Sequence, residues 1–485
     1  MKITVVRLTL CGASAAFAVA RLAAQPATAP VVTTAPVSQV ATVGATATFT
    51  VVATGTAPLR FQWYRNGEEI SRAATSTLTL ANLRLGDAAV YSVRVSNAAG
   101  SVSSPPASLA VNGTAGTITT APASVTAKAG TEARLALAAA GTGLAYEWRY
   151  NGRPLRTATG SALTLPNVGT TAAGYYQVTV TARNAPIAAA ALHLQVTTDA
   201  RLVNIATRGM VGPEDDEVLI SGFVTRGTGS KGVLLRAVGP TLAQAPFNVT
   251  GVLANPKITL YRGSSIVATN EDWGGGSNFT AAFTKVGAFP LAAATSLDAA
   301  VLQTVANGTY TAHVTGPANA RGIALIEVYD TDDASPPVEL ANISTRAMVG
   351  AVREGALIAG FVITGTTSNT VLVRGVSQSL GTLHGLRRAL GNSQVAVFDA
   401  KGNPIAANAV WTRSSHSGRD DDEEEDEDKQ SEIEEASDRT GAFRLPRGST
   451  DSALLMTLPP GAYTAQVTGR NNASGVALVE IYEVR

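Results

Sequence analysis

The stretch Phe61–Gly67, FQWYRNG, returns at Tyr146–Gly152 as YEWRYNG. Each copy sets a Trp three residues ahead of an Asn-Gly pair. Asn-Gly between alternating segments is a strong hairpin signal, because a type I′ turn needs positive φ at both central residues. The spacing is kept downstream: Trp63 and Trp148 are 85 residues apart, and so are Tyr91 and Tyr176. Segments such as TATFTVVA (46–53) and YSVRVSN (91–97) alternate with period two, the pattern of half-buried strands.

These residues resemble the immunoglobulin fold, over roughly 30–112 and 115–197. The resemblance implies two sandwiches with Trp63 and Trp148 as core residues and Tyr91 and Tyr176 as tyrosine corners. The family's two core half-cystines are absent: Val51 and Val93 stand there in the first copy, Leu137 and Val178 in the second. Apolar side chains can fill that space without the constraint a disulfide puts on the unfolded chain. Ala172 stands where the first copy has Asp87, which implies a looser second corner.

A different duplication begins near residue 200. LVNIATRGMVG (202–212) returns as LANISTRAMVG (340–350), LISGFV (219–224) as LIAGFV (357–362) and VLLRAV (233–238) as VLVRGV (371–376), all offset by 138. Asn270 and Trp273 match Asn408 and Trp411 at the same offset. Beyond them GTYTAHVTG (308–316) matches GAYTAQVTG (461–469) at 153, so the second copy carries a net insertion of 15 residues after Trp411. Short Val/Ile/Leu/Thr runs between Gly, Asn and Pro turns predict β-sandwiches of the jelly-roll type. They resemble the C-terminal accessory sandwiches of secreted bacterial proteins. GTGSKG (227–232) reads as a hairpin turn rather than a phosphate cradle, since it precedes no helix. The expected organisation is all-β and tandem, four beads on short linkers: a signal segment at 1–25, immunoglobulin-like domains at 26–112 and 113–198, and repeats at 199–333 and 334–485.

The N-terminus, with Lys2 and Arg7 ahead of an apolar run from Leu8 to Ala20, has the layout of a secretory signal peptide. It predicts a secreted or cell-surface protein with no membrane span after cleavage. The single cysteine, Cys11, lies inside that segment, so each mature domain must rely on its core.

The net charge of +1 hides a contrast. From Asp420 to Asp438 stand thirteen carboxylates and one Lys, so this run carries −12 and the rest of the chain +13. Such a run is expected to be a disordered, solvated loop (419–439), because like charges repel and little apolar surface is there to bury. Loose Ca²⁺ capture by Asp420, Asp421, Asp422, Glu423, Glu424, Glu425 and Asp426 is the alternative, carboxylate oxygens suiting a hard cation. Docking on the basic body is another.

Signals of catalysis are sparse. The four His residues (His193, His313, His384, His416) lack metal spacing, and no nucleophile elbow or Walker loop is found. Arg208/Arg346 and Arg236/Arg374 recur between the copies, as do Glu327/Glu480. They read as structural ion pairs or a solvated face, with an anion notch as the alternative. Diffuse basic charge without interleaved aromatics argues against nucleic acid. The chain is therefore expected to be non-catalytic, an adhesion or scaffold protein that binds a cell-surface protein or polysaccharide, with no cofactor beyond Ca²⁺. An accessory polysaccharide-binding protein is the alternative, Trp273 and Trp411 being the candidate exposed rings. A hydrolase with an unrecognised site comes third.

Overall fold

The computed structural model describes residues 28–113, 117–182, 185–332, 338–350, 355–412 and 422–484, with only the backbone path at 422–425 and 428. The expected signal segment (1–25), Cys11 within it, Asp420 and Asp421 lie outside them, as do the side chains of Asp422, Glu423, Glu424 and Glu425. The protein is all-β, a tandem of sandwiches, with three α-helices among the described residues.

In the first sandwich, Arg60–Arg65, Val90–Asn97 and Ala107–Asn112 form one sheet and Ala47–Thr50 pairs with Thr77–Leu80 on the other side. The second repeats this with Leu144–Tyr150, Gly174–Ala182 and Ala185–Thr197 facing Ala133–Ala136 and Ala162–Leu165. The two are not separate beads. Val111 pairs with Ala189 and Asn112 with Ala188, so one sheet runs through both. Ala189 packs in the first core and Ala110 in the second.

The two C-terminal copies are interlocked. Arg201–Val211 pairs with Gly322–Asp330 of its own copy and with Leu357–Thr364 of the other. Val338–Val349 does the converse, pairing with Gly475–Glu483 and with the long strand Leu219–Val238. Met210 meets Met348 at the centre, and the Thr207 and Thr345 hydroxyls lie 2.9 Å apart. One apolar core joins Leu202, Phe223 and Ile326 of the first copy to Ile343, Phe361 and Ile481 of the second. The expectation of beads on linkers is thus corrected. A strand apolar on one face is completed by whichever equivalent strand lies alongside, and here that strand belongs to the other copy.

GTGSKG is likewise not a hairpin turn. It lies inside Leu219–Val238, where the register shifts between Thr225 and Ser230 and Gly227 and Gly229 take positive φ. The irregularity bends the strand. Lys231 is fully buried there, 2.7 Å from Asp330 and 3.1 Å from Asp332.

The second sandwich docks on the last copy. Thr170 N–H donates to Thr370 Oγ1 at 3.0 Å, and its hydroxyl donates to the Val484 carbonyl. Asp199 accepts hydrogen bonds from the backbone and hydroxyls of Thr366 and Thr367. Those bonds, the Thr367 hydroxyl first, hold its carboxyl well below the usual carboxylate range.

Candidate functional site

Trp63 and Trp148 are fully buried, and each indole N–H donates at 2.8 Å to a backbone carbonyl, of Thr75 and Gly160 respectively. Tyr91 donates to Asp87 O at 2.9 Å and Tyr176 to Ala172 O at 2.8 Å. Burial pushes the Tyr91 phenol up to about 12 and raises that of Tyr176. The second corner is therefore as tight as the first. The acceptor is a main-chain carbonyl, so replacing the Asp side chain by Ala does not loosen it.

The Asn-Gly turns have the positive φ their type requires: 49° and 84° at Asn66 and Gly67, 47° and 85° at Asn151 and Gly152. Each Asn does more than turn. Asn66 Oδ1 accepts from Val90 N at 2.9 Å, and Asn151 Oδ1 accepts from Tyr175 N at 3.1 Å. The amides thus pin each turn to the start of the strand that carries the corner tyrosine. The side-by-side packing of the sandwiches brings both turns to one cleft of about 360 Å³, lined by Arg65, Asn66, Glu68, Asn151, Tyr175 and Gln177. The Tyr175 ring lies against Gly67, where a Cβ would stand 3.0 Å from its Cε2. This cleft was not legible in the sequence. The repeated Asn-Gly pair marked its two walls, but nothing local said that they face each other.

Residues 29–97 match the family model of the immunoglobulin domain. Among solved structures the chain is similar to the titin tandem A164–A165, at 18% identity over 36% of this chain and 100% of that one, with a TM-score of 0.19. It is similar to the tandem immunoglobulin repeats of Dlar at 22% identity over 35% and 98%, with a TM-score of 0.18. The titin fragment I67–I69 aligns at 14% identity over 66% and 93%, with a TM-score of 0.18. No protein of curated function matches significantly.

Beyond the immunoglobulin-like pair, Trp273 and Trp411 lie inside the repeats, 6% and 1% exposed. The alternative of an exposed sugar platform at these rings is corrected in favour of a core role. Trp273 packs under α1 (Ser277–Val286) against Phe283, with its indole N–H donating to Ala293 O at 3.1 Å. Trp411 packs with Leu372, Ile433 and Tyr482, its N–H 3.1 Å from Ser449 Oγ. Beside each ring sits a fully buried Arg. Arg236 donates to Glu327 at 2.7 Å and to Phe289 O at 2.5 Å; Arg374 donates to Glu480 at 2.8 Å and to Phe443 O at 2.6 Å. Phe289 and Phe443 stack on the two guanidiniums at 4.3 and 4.5 Å. Tyr329 and Tyr482 donate to the same carboxylates, each at 2.7 Å. Arg236 and Arg374 are thus enclosed and ion-paired to Glu327 and Glu480, so neither guanidinium is open to an outside anion. Arg346 is half-buried, its guanidinium 3.4 Å from Asp215 O.

Two residues escaped the sequence reading here, Asp298 and Asp451. Asp298 accepts from Gly239 N at 2.8 Å and Asp451 from Ser377 N at 2.6 Å, holding the starts of the helical turn Pro240–Ala243 and of α2 (Gln378–His384). Their recurrence at offset 153, in DAAVL and DSALL, was the available signal.

From Asp422 onward the acidic run is not a disordered loop. Its described part forms α3 (Asp422–Thr440), which follows Trp411 as α1 follows Trp273 and covers the same face of its copy. The 15-residue insertion extends that cover helix. Ile433 and Ala436 are buried on the face next to Trp411. Glu435 pairs with Arg439 at 2.6 Å, Glu434 with Arg447 at 3.0 Å, and Asp438 with Arg444. Carboxylates toward the N-terminus and Arg439 in the last turn suit the helix dipole. Apolar burial and paired charges thus offset the repulsion that made the run look disordered. The helix also reaches the second immunoglobulin-like domain, where Arg153 donates to Ser431 Oγ at 2.9 Å. Among the described residues no three His, Cys, Asp or Glu side chains are grouped to hold a metal. No described helix is long and apolar enough to cross a membrane.

Proposed function

We propose that this is a non-catalytic extracellular or cell-surface protein that binds a partner in an adhesion or scaffold role. The observation that carries the reading is the cleft between the two immunoglobulin-like domains. Loops held by a rigid scaffold are where such proteins bind, and here the duplicated turns bring polar groups from both domains to one opening. The buried carboxylates of the repeats support a structural rather than catalytic role. Glu327, Glu480, Asp298 and Asp451 are each held by hydrogen bonds within the fold. The layout of the N-terminal segment supports export.

The test is capture of the purified protein by intact cells and by a panel of insoluble polysaccharides, with and without EDTA. Capture by cells that Tyr175→Ala weakens supports the reading. Loss of capture in EDTA would give the acidic segment a Ca²⁺ role. No capture by any cell or polymer would overturn it.

A further inference from the structure

We infer that the cleft between the Asn-Gly turns takes a neutral saccharide unit, an inference that rests on the binding role proposed above. Its size, about 360 Å³, is at the lower end of small-ligand pockets. The charged groups in its lining, Arg65 and Glu68, cancel, so a ligand of either charge gains little there. The Arg65 guanidinium is moreover anchored on the Gly86 carbonyl. What remains is three amides and a phenol, from Asn66, Asn151, Gln177 and Tyr175, the Asn66 and Asn151 Oδ1 atoms each already accepting one backbone N–H and keeping a second lone pair. Amides and hydroxyls both donate and accept, which suits the hydroxyls of a sugar, since each of those also does both.

The ring of Tyr175 supplies an apolar face. It packs against His193, centroid to centroid 5.0 Å at a tilt of 49°, and against Gly67. Burial raises its phenol and lowers the His193 imidazole, so both are neutral at physiological pH. Tyr175 and Gln177 alternate with the buried Tyr176 and Val178. They therefore share the outer face of one strand, two residues apart. A protein partner is favoured less, because protein hot spots centre on apolar or aromatic anchors sunk into dry pockets, and the walls here are mostly polar.

The experiment is calorimetric titration of the full mature chain with soluble neutral and uronic-acid oligosaccharides, repeated with Tyr175→Ala, Tyr175→Phe and Gln177→Ala. The expected result is binding of a neutral oligosaccharide, weakened at least about tenfold by Tyr175→Ala, less by Gln177→Ala, and largely kept by Tyr175→Phe. If Tyr175→Ala does not fold, the outward-facing Gln177→Ala decides the site. Undiminished binding in the folded variants, or a preference for the uronic acids, would overturn the inference. Capture by cells without affinity for any saccharide would overturn the sugar and leave the binding role standing. Failure of both would remove both.

Discussion

Replacing Arg374 by Ala would test how the two C-terminal copies are joined. The guanidinium is fully buried, donating to Glu480 at 2.8 and 2.5 Å and to Phe443 O at 2.6 Å. Without it the Glu480 carboxylate keeps, among the described residues, the Tyr482 hydroxyl at 2.7 Å. Removing one partner of a buried ion pair costs about 3–5 kcal/mol, because the other charge stays desolvated. Arg236→Ala breaks the matching network around Glu327 and should cost about the same. Both copies feed one core, so both variants should lower a single transition. At about 2–4 °C per kcal/mol for a unit of this size, each should lower Tm by about 6–20 °C. The double variant should lose close to the sum, the two sites sharing no partner. Differential calorimetry with urea unfolding followed by circular dichroism measures this. Two separable transitions, each moved by one variant alone, would refute the shared core. A loss under about 1 kcal/mol in both would refute the buried-charge account.

Three further outcomes are expected. Ile433→Ala should cost about 2–5 kcal/mol, the range for truncating a buried aliphatic side chain; if its unfolding midpoint matches the wild type, α3 is not anchored on Trp411. Tyr91→Phe and Tyr176→Phe should each cost about 1 kcal/mol, the net worth of a hydrogen bond, and a much smaller effect at Tyr176 would restore the looser second corner. Asp199 has its pKa depressed in the folded state, so its contribution is present above its unfolded value near 3.8 and is lost as pH falls through the folded one. The protection factors of the Thr366 and Thr367 amides, taken against their intrinsic exchange rates, should therefore fall in acid in the wild type. Asp199→Asn should remove that dependence, and identical acid profiles would sink the idea.

The sequence by itself determined the class of the molecule and its internal arithmetic. Period-two alternation, Asn-Gly turns and offsets of 85, 138 and 153 residues are local or repeated patterns. An all-β tandem follows from them, because side-chain alternation and turn chemistry act over a few residues. What local pattern does not carry is which face meets which. For Trp273 and Trp411 an exposed ring stays open beside the core role until α1 and α3 are seen lying over them. The acidic run looks disordered on its own charge. It becomes helical where Ile433 and Ala436 find Leu372 and Trp411 to bury against. The pairing of Arg201–Val211 with Leu357–Thr364, and the meeting of Asn66 with Asn151 across one cleft, join residues 85 or more apart in the chain. Equivalent strands in a duplicated chain offer the same hydrogen-bonding edge, so the sequence leaves the choice of partner open. Only the tertiary structure decided it, by burying both copies in one core.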